Sequence, residues 1–187
     1  MDIRPGPLER AKVNIAQHVL GQYIQTRLSN GMERLEPGEV DSAILAGMGG
    51  KLMLRILSES QGVVQKIGEL VLEPQSETAA LRRYLIKAGF RIEAEDMVLE
   101  DGKFYPVIRA VPSETAEELS AEQFMFGPRL LESRHPVLLD YLHREEKVSL
   151  RLEESLQRSG SSRAEKRLRE IQEEIQYIRT AYVYYDM

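Results

Sequence analysis

Apolar and polar residues follow two different periods over residues 1–111, and the period changes at glycines and prolines. Spacings of three and four predict helices, whereas alternating or unbroken apolar runs predict strands. The predicted elements are a helix from Pro7 to Gly21, strands at 23–28 and 42–46, a helix from Leu52, a strand at 69–73, a helix from Ser76 to Gly89, and extended segments at 90–99 and 104–110. Because Glu100-Asp101-Gly102-Lys103 is a hairpin-type turn, the last two segments are expected to pair antiparallel.

After Ser42 the strand at 42–46 is an unbroken apolar run, and the strand at 69–73 has an apolar centre. Such strands are typical of a parallel sheet that helices cover on both faces. A sheet of this type that ends in an antiparallel hairpin indicates an α/β fold with Rossmann-like, methyltransferase-like topology, in contrast to the all-parallel nucleotide folds.

From Pro112 onward the sequence becomes charged and helix-forming. Apolar residues toward its end step by four and three, which is the pattern of a coiled-coil seam. The seam comprises Ala164, Leu168, Ile171, Ile175, Ile178, Tyr182 and Tyr185, and the preceding helix offers Leu138, Tyr141, Leu142, Val148, Leu152 and Leu156. With a turn at Ser159-Gly-Ser-Ser162, the pattern predicts an antiparallel helical hairpin and a division into domains 1–111 and 112–187.

Composition narrows the class of protein. The chain of 187 residues, 42% of them hydrophobic, suits one main core with an extension. The absence of cysteine excludes disulfides and thiolate nucleophiles, and no apolar run reaches membrane-spanning length. The three histidines lack metal-like spacing, so no metal site is expected. These features together predict a soluble cytoplasmic protein.

Charge allows two interpretations of the tail. The net charge of -5 argues mildly against a nucleic-acid partner, because polyanion binding usually shows as a basic excess. Basic residues still recur along one helical stripe and in a cluster after it, namely Arg144, Lys147, Arg151 and Arg158, then Arg163, Lys166, Arg167 and Arg169. They form either an RNA-binding face or a solvated face neutralised by neighbouring glutamates.

The segment from Asp41 to Gly50 carries the strongest signal for chemistry. An apolar strand here breaks into Gly47, Gly49 and Gly50, which open the next helix. Exposed backbone at the carboxyl end of a strand is where open α/β sheets bind ligands. A tight turn without a ligand explains the same glycines.

Short motifs along the chain occur together in one family. They are Asp2 with Gly6-Pro7-Leu8, Asn30-Gly31, Ala46-Gly-Met-Gly-Gly50, Leu72-Glu-Pro-Gln-Ser76 with Leu81-Arg82, and Lys103-Phe-Tyr105. In their order and spacing the chain resembles the bacterial tRNA adenine-N1 methyltransferases of the TrmK type. The resemblance implies a class I methyltransferase domain that uses S-adenosyl-L-methionine, a helical coiled-coil-like tail, and methylation of N1 of adenine 22 in tRNA.

Two departures from the family pattern change what is expected. Family members carry, before the segment that matches Met1-Asp2, a helix, a first strand and an acidic glycine loop for the methionine part of the cofactor. The sheet is therefore expected to be N-terminally incomplete, with open edges where a central strand belongs. Where many members have Gln-Pro-Asn, this chain has Glu73-Pro74-Gln75, so the polar contacts there are expected to differ.

The resemblance also assigns cofactor-binding residues. Asp2 is expected to accept the ribose hydroxyls and Asn30 to contact the adenine, with Gly31, Ala46 and Gly47 beside them. From the residues alone, Asp2 is better explained as an acid at a helix N-terminus, and Asn30-Gly31 serves equally as a turn.

On the acceptor side, the resemblance places Gly47, Met48, Gly49, Gln75 and Tyr105. The chain lacks the Asn/Asp-Pro-Pro-aromatic loop of many amino-methylating enzymes. Adenine N1 already has a free lone pair, so such a site supplies mainly in-line placement and acceptors for positive charge. Gln75 is expected at the base edge, and Tyr105 either stacks on the flipped base or is an ordinary hairpin aromatic.

The expected partner is tRNA, with a homodimer through the tail as a further expectation. The candidate RNA contacts are Arg82, Arg144, Lys147, Arg151, Lys166 and Arg167, although a solvated helix face also explains Arg82. Two alternatives to this enzyme remain open. One is a non-catalytic module whose tail binds a protein or RNA, and the other is a methyltransferase of another substrate.

Overall fold

The chain folds around a four-stranded sheet with helices packed against it. The computed structural model describes residues 1–115, 117–159 and 162–186. Its strands are β1 (Ser42–Met48), β2 (Glu69–Pro74), β3 (Phe90–Glu100) and β4 (Lys103–Pro112). Its helices are α1 (Pro5–Gln17), α2 (Gly50–Glu59), α3 (Gln61–Val64), α4 (Thr78–Lys87), α5 (Ala121–Phe126), α6 (Pro128–Glu132), α7 (Pro136–Ser159) and α8 (Ser162–Asp186).

The strands lie in the order β1-β2-β4-β3. β1 and β2 are parallel, whereas β4 runs antiparallel to both β2 and β3. The connection through α2 permits the parallel pair, and the turn at Asp101-Gly102, with φ angles of 48° and 73°, closes the hairpin. The predicted α/β sheet with a terminal antiparallel hairpin is confirmed.

One face of the sheet carries the main core. Alternation along β2 and β4 directs paired residues such as Leu72 and Ile108 to this face, and both are fully buried. α2 and α4 cover the face with their apolar stripes. Other residues here with no exposed surface are Met53, Leu57, Leu70, Leu81, Leu85, Ile92 and Ala110. This packing fixes the carboxyl ends of β1 and β2 relative to both helices.

A second hydrophobic cluster joins the hairpin to the C-terminal helices. Met97 of β3 packs in it with Phe126, Leu130 and Leu131 of the short helices and with residues of α7 and α8. Hydrogen bonds from Tyr182 to Glu146 at 3.1 Å and from Gln172 to Glu153 at 3.0 Å show that α7 and α8 are antiparallel. The helical hairpin is as expected, whereas α5 and α6 were not predicted. The domain boundary at 111/112 stays a prediction.

α7 packs in a register that differs from the predicted one. Val148 and Leu152 are 51% and 36% exposed, and Ser149 faces inward at 6% exposure. Val148 and Leu152 are therefore wrongly predicted as inner positions on α7, whereas Leu156 is half-buried. On α8 the seam holds, with Ile171, Ile175 and Ile178 each at most 4% exposed.

Two predictions near the N-terminus are wrong. No strand forms at 23–28, where only Leu28 makes a parallel bridge, with Asp2. Tyr23 is 76% exposed, so this segment lacks the neighbouring strand that alternation presupposes. α1 ends at Gln17 and not at Gly21, because Val19 takes a positive φ of 57°.

α4 begins at Thr78, with Glu77 at its N-cap position, and not at the predicted Ser76. Gly160 and Ser161 of the predicted turn lie outside the described residues. Within the described residues, no helix has both the length and the apolar character to cross a membrane.

Candidate active site

The loops that follow β1 and β2 are hydrogen-bonded to each other. The amide of Gln75 donates to the carbonyl of Met48 at 3.0 Å, and the amide of Gly47 donates to Oε2 of Glu73 at 2.6 Å. Parallel strands end at the same edge of a sheet, so these bonds join the glycine loop and Gln75 into one surface. The structure therefore brings together the glycine loop and Gln75 as the sequence predicted.

Two glycines of this loop are needed for different physical reasons. A Cβ at Gly50 would clash with the carbonyl of Ser76, and Ser76 Oγ accepts the Gly50 amide at 3.2 Å. Gly50 thus serves the close packing of two loops, as a plain turn would require. Gly47 has a φ of 71°, which favours glycine, and no atom lies within 4 Å of a Cβ built there. The space beside Gly47 is open to a ligand.

Glu73 holds the shape of the glycine loop through its carboxylate. One oxygen accepts the Gly47 amide, and the other, Oε1, is buried with no hydrogen-bond partner in the described part of the chain. A buried acceptor without a partner is uncommon in folded proteins. The acidic side chain of Glu73 therefore lies directly beside the glycine loop.

A cleft of about 760 Å³ opens beside Gln75, between the hairpin and the helical tail. Leu72 and Ile108 form the last pair of the β2–β4 register, and Gln75 lies three residues after Leu72 whereas Tyr105 lies three residues before Ile108. Both residues line the cleft. Two of the predicted acceptor-side residues therefore line one cavity that is large enough for a nucleotide.

The other end of the cleft is lined by residues that sequence reasoning did not single out as a site. The rings of Phe104 and Tyr141 meet edge to face, with centroids 5.2 Å apart and planes at 70°. Burial raises the pKa of Tyr141 to about 12 and also raises the pKa of the Glu145 carboxyl. Strand alternation directs Phe104 to the sheet face opposite Tyr105, a signal that Lys103-Phe-Tyr105 contained.

Asp2 and the segment that precedes Asn30 are joined by an isolated parallel bridge between Asp2 and Leu28. The amide of Ser29 donates to the carbonyl of Asp2 at 2.9 Å. Asp2 Oδ1 accepts the amide of Arg4 at 2.8 Å at the start of α1, as an acid at a helix N-terminus does. Asn30 Nδ2 donates to Glu33 at 2.5 Å within a turn. Both residues thus have the local structural roles that the residues alone indicated.

Comparison with known proteins gives the family. The family model for TrmK, tRNA (adenine(22)-N(1))-methyltransferase, matches residues 1–180. The chain belongs to this family. The resemblance predicted from the motifs is confirmed.

Relatives in the TrmK family share sequence and fold with this chain. The tRNA (adenine(22)-N(1))-methyltransferase of Bacillus subtilis is 30% identical over 143 residues, which are 74% of this chain and 60% of that protein. Sp1610 of Streptococcus pneumoniae, a candidate tRNA (m1A22) methyltransferase, is 33% identical with a TM-score of 0.84 over 96% of this chain and 78% of that one. A second Sp1610 structure, in complex with S-adenosyl-L-methionine, gives 31% identity and a TM-score of 0.81 over the same shares. The chain spans about 60% of the length of the curated relative.

One predicted RNA contact is wrong for this TrmK-family chain. Arg82 is 1% exposed and donates from Nε to Oε1 of Glu95 at 2.7 Å. Its Nη1 donates to the carbonyls of Phe124 and Met125 at 2.9 and 3.0 Å. A guanidinium with these partners neither meets RNA nor lies on a solvated face. It holds α4 to β3 and α5 instead.

The other predicted RNA contacts lie on the surface of the helical tail. Lys147, Arg151 and Lys166 are exposed. Arg167 pairs with Glu170 at 2.9 Å and Glu174 at 3.3 Å, which matches the solvated-face interpretation for this residue. Arg144 reaches the cleft and donates to the carbonyl of Gly102 at 3.3 Å. An RNA-binding role for these residues stays a prediction.

Proposed function

We propose that the chain transfers a methyl group from S-adenosyl-L-methionine to N1 of an adenine in tRNA. The observation that carries the proposal is the bond between Gln75 and Met48, which fixes the glycine loop against the cleft that Gln75 and Tyr105 line. Membership of the TrmK family supports adenine 22 as the target.

The nucleoside half of the cofactor fits the pair formed by Asp2 and Asn30. A carboxylate accepts two ribose hydroxyls, and an amide both donates to and accepts from an adenine edge. The bridge between Asp2 and Leu28 and the bond from the Ser29 amide to the Asp2 carbonyl tie Asp2 to the segment that leads into Asn30. We assign Gly31, Ala46 and the open space beside Gly47 to the same site. The cofactor supplies an electrophilic methyl group when it is bound.

The acceptor side requires placement more than proton transfer. Adenine N1 has a free lone pair, so Gln75 serves by holding the base edge while the glycine loop of Gly47, Met48 and Gly49 leaves room for close approach. Tyr105 offers a ring to the extruded base. The methylated ring is cationic, and the carboxylate of Glu73 lies two residues before Gln75. That negative charge favours the charge that develops during transfer.

The helical tail is proposed to contact the RNA, and the cytoplasm is inferred as the compartment from the tRNA substrate. We propose that Lys147, Arg151 and Lys166 contact phosphates, and that the protein acts in the cytoplasm, where tRNA is modified. The expected homodimer through the tail is not part of this proposal. The α8 seam of Ile171, Ile175 and Ile178 is buried within this chain and is not left open for a second copy.

The test is primer extension on an unmodified tRNA transcript incubated with the chain and S-adenosyl-L-methionine. A stop at the target adenine is expected, because an N1-methyl group blocks base pairing. A transcript with guanine in place of the target adenine is the control and should give no stop. Full read-through of the wild-type transcript, with calorimetry showing that the cofactor is bound, would exclude the assignment.

A further inference from the structure

We propose that the end of the cleft formed by Phe104, Tyr141 and Arg144 binds a second nucleobase of the RNA, the one that directly flanks the target adenine. The inference rests on the proposed function and extends it to a neighbouring subsite. The cleft, at about 760 Å³, is much larger than a single adenine requires, and it continues from Gln75 to α7.

The groups at this end form a stacking platform. Phe104 and Tyr141 meet at 5.2 Å and 70°, and the guanidinium carbon of Arg144 lies 5.5 Å from the Phe104 ring centroid. Aromatic rings and guanidinium planes are the surfaces on which proteins stack unpaired bases. These three side chains come from β4 and α7, so the platform exists only where the tail meets the hairpin.

The polar groups favour a base over a phosphate. The carboxylate of Glu145 lines the same end of the cleft, with its Oε1 at 3.9 Å from Nε of Arg144. A carboxylate repels a phosphate but accepts a hydrogen bond from an exocyclic amine of a base. The neighbouring cation is also held in place, since Arg144 Nη1 donates to the carbonyl of Gly102 at 3.3 Å. The platform is therefore shaped before RNA arrives.

Extrusion of the target adenine makes it favourable for the flanking base to enter the cleft. A base that leaves its stack exposes the faces of its neighbours, and unstacking costs free energy that a protein ring can recover. Tyr105 lines the cleft together with Gln75, whereas strand alternation directs Phe104 to the opposite sheet face, where its ring contacts Tyr141. Consecutive residues of β4 thus serve two consecutive nucleotides.

The experiment is a thermodynamic cycle between protein and RNA, measured as the dissociation constant of the full chain for tRNA transcripts. One transcript is normal, and two others carry an abasic nucleotide on the 5′ or the 3′ side of the target adenine. For the wild type, one abasic transcript is expected to bind roughly 10-fold more weakly, the usual scale for one stacked base. Phe104→Leu keeps an apolar side chain but loses the ring. For this variant, the same abasic change is expected to leave the dissociation constant unchanged.

Two other variants keep the test decisive. Arg144→Lys retains the charge but loses the planar guanidinium, so it is also expected to reduce the coupling to the abasic change. It replaces Phe104→Leu in the test if that variant folds poorly. The matched control is Phe124→Leu, since Phe124 lies 4.1 Å below the Arg83 guanidinium but does not line the cleft. The effect of Phe124→Leu on the dissociation constant should be additive with the effects of both abasic changes.

The outcomes separate the two proposals. Additive effects of Phe104→Leu and Arg144→Lys with both abasic changes would overturn the flanking-base subsite alone, with methylation of the target adenine left intact. A wild-type chain that neither binds nor methylates tRNA would overturn the proposed function and this subsite with it.

Discussion

Arg82 on α4 and Glu95 on β3 form an ion pair at 2.7 Å with side chains 1% and 0% exposed. Glu95 also accepts the backbone amide of Arg129 at 3.0 Å. Removal of one partner leaves an unpaired charge in the interior, so Arg82→Met is expected to lower the free energy of unfolding by about 3–5 kcal/mol. Urea denaturation followed by circular dichroism measures the change. Arg167→Met, which breaks exposed pairs, is the control, and a loss of similar size there would contradict the explanation.

The two loop glycines are expected to respond differently to alanine. Gly50→Ala places a Cβ against the Ser76 carbonyl, which is backbone, and is expected to cost about 1–3 kcal/mol of unfolding free energy. Gly47→Ala meets no atom but keeps a φ of 71°, at a cost of about 1–2 kcal/mol. Gly6→Ala in α1 is the control and should stabilise slightly, because alanine favours helix. Equal shifts of the thermal unfolding midpoint for all three variants would contradict this explanation of the loop glycines.

Stability is expected to fall in alkaline solution. Burial raises the pKa values of Tyr141, Tyr182 and Tyr185 to about 12, whereas an unfolded tyrosine titrates near pH 10. Between these values the unfolded chain binds fewer protons than the folded one, so stability is complete below about pH 10 and is lost as the pH rises toward 12. Denaturation midpoints across this range should fall less steeply for Tyr141→Phe.

Tyr23→Phe provides the matched control for the alkaline experiment. Tyr23 is 76% exposed, so its removal is expected to leave the slope of stability against pH unchanged. A Tyr141→Phe slope identical to that of the wild type would show that burial of Tyr141 does not drive the alkaline loss.

The proposed RNA contacts predict a salt signature. Lys147→Ala and Arg151→Ala should each weaken tRNA binding and reduce the slope of log affinity against log salt by about 1, because one phosphate contact releases about one counterion. Arg167→Ala is the comparison, since its charge is engaged by Glu170 and Glu174, and it should change the slope little. Unchanged slopes for Lys147→Ala and Arg151→Ala would remove both from the RNA interface.

Local chemistry made much of the fold predictable from sequence. The Asp101-Gly102 turn specified the hairpin, and the four-three spacing of Ile171, Ile175 and Ile178 specified the buried side of α8. The strand predicted around Tyr23 does not form, because alternation indicates that a segment could pair with a strand but not that such a strand is present. Val148 and Leu152 were wrongly predicted to face inward, whereas Ser149 packs inward, which hydrophobicity does not indicate.

The site was predictable where it followed one strand and unpredictable where it joined distant segments. Gln75 beside the glycine loop followed from two parallel strand ends. Arg82 was misassigned because its partner Glu95 lies on another element and only tertiary packing brings them together. The pairing of Phe104 with Tyr141 spans the hairpin and the tail, so no local pattern contains it.

Gly127, with a φ of 99°, sits where any Cβ would strike both Glu95 and Arg82. The carboxylate of Glu95 on β3 accepts hydrogen bonds from Arg82 of α4 and from the backbone amide of Arg129 at the start of α6. Each of the two hydrophobic clusters includes residues of at least one of these elements. Arg82 and Glu95 both belong to the sheet domain, and the tail completes their hydrogen bonding through the carbonyls of Phe124 and Met125 and the amide of Arg129. Loosening the tail would therefore leave a buried ion pair short of hydrogen-bond partners. We therefore expect sheet and helical tail to melt in one cooperative transition, as a single thermodynamic unit, and not as two separately melting domains.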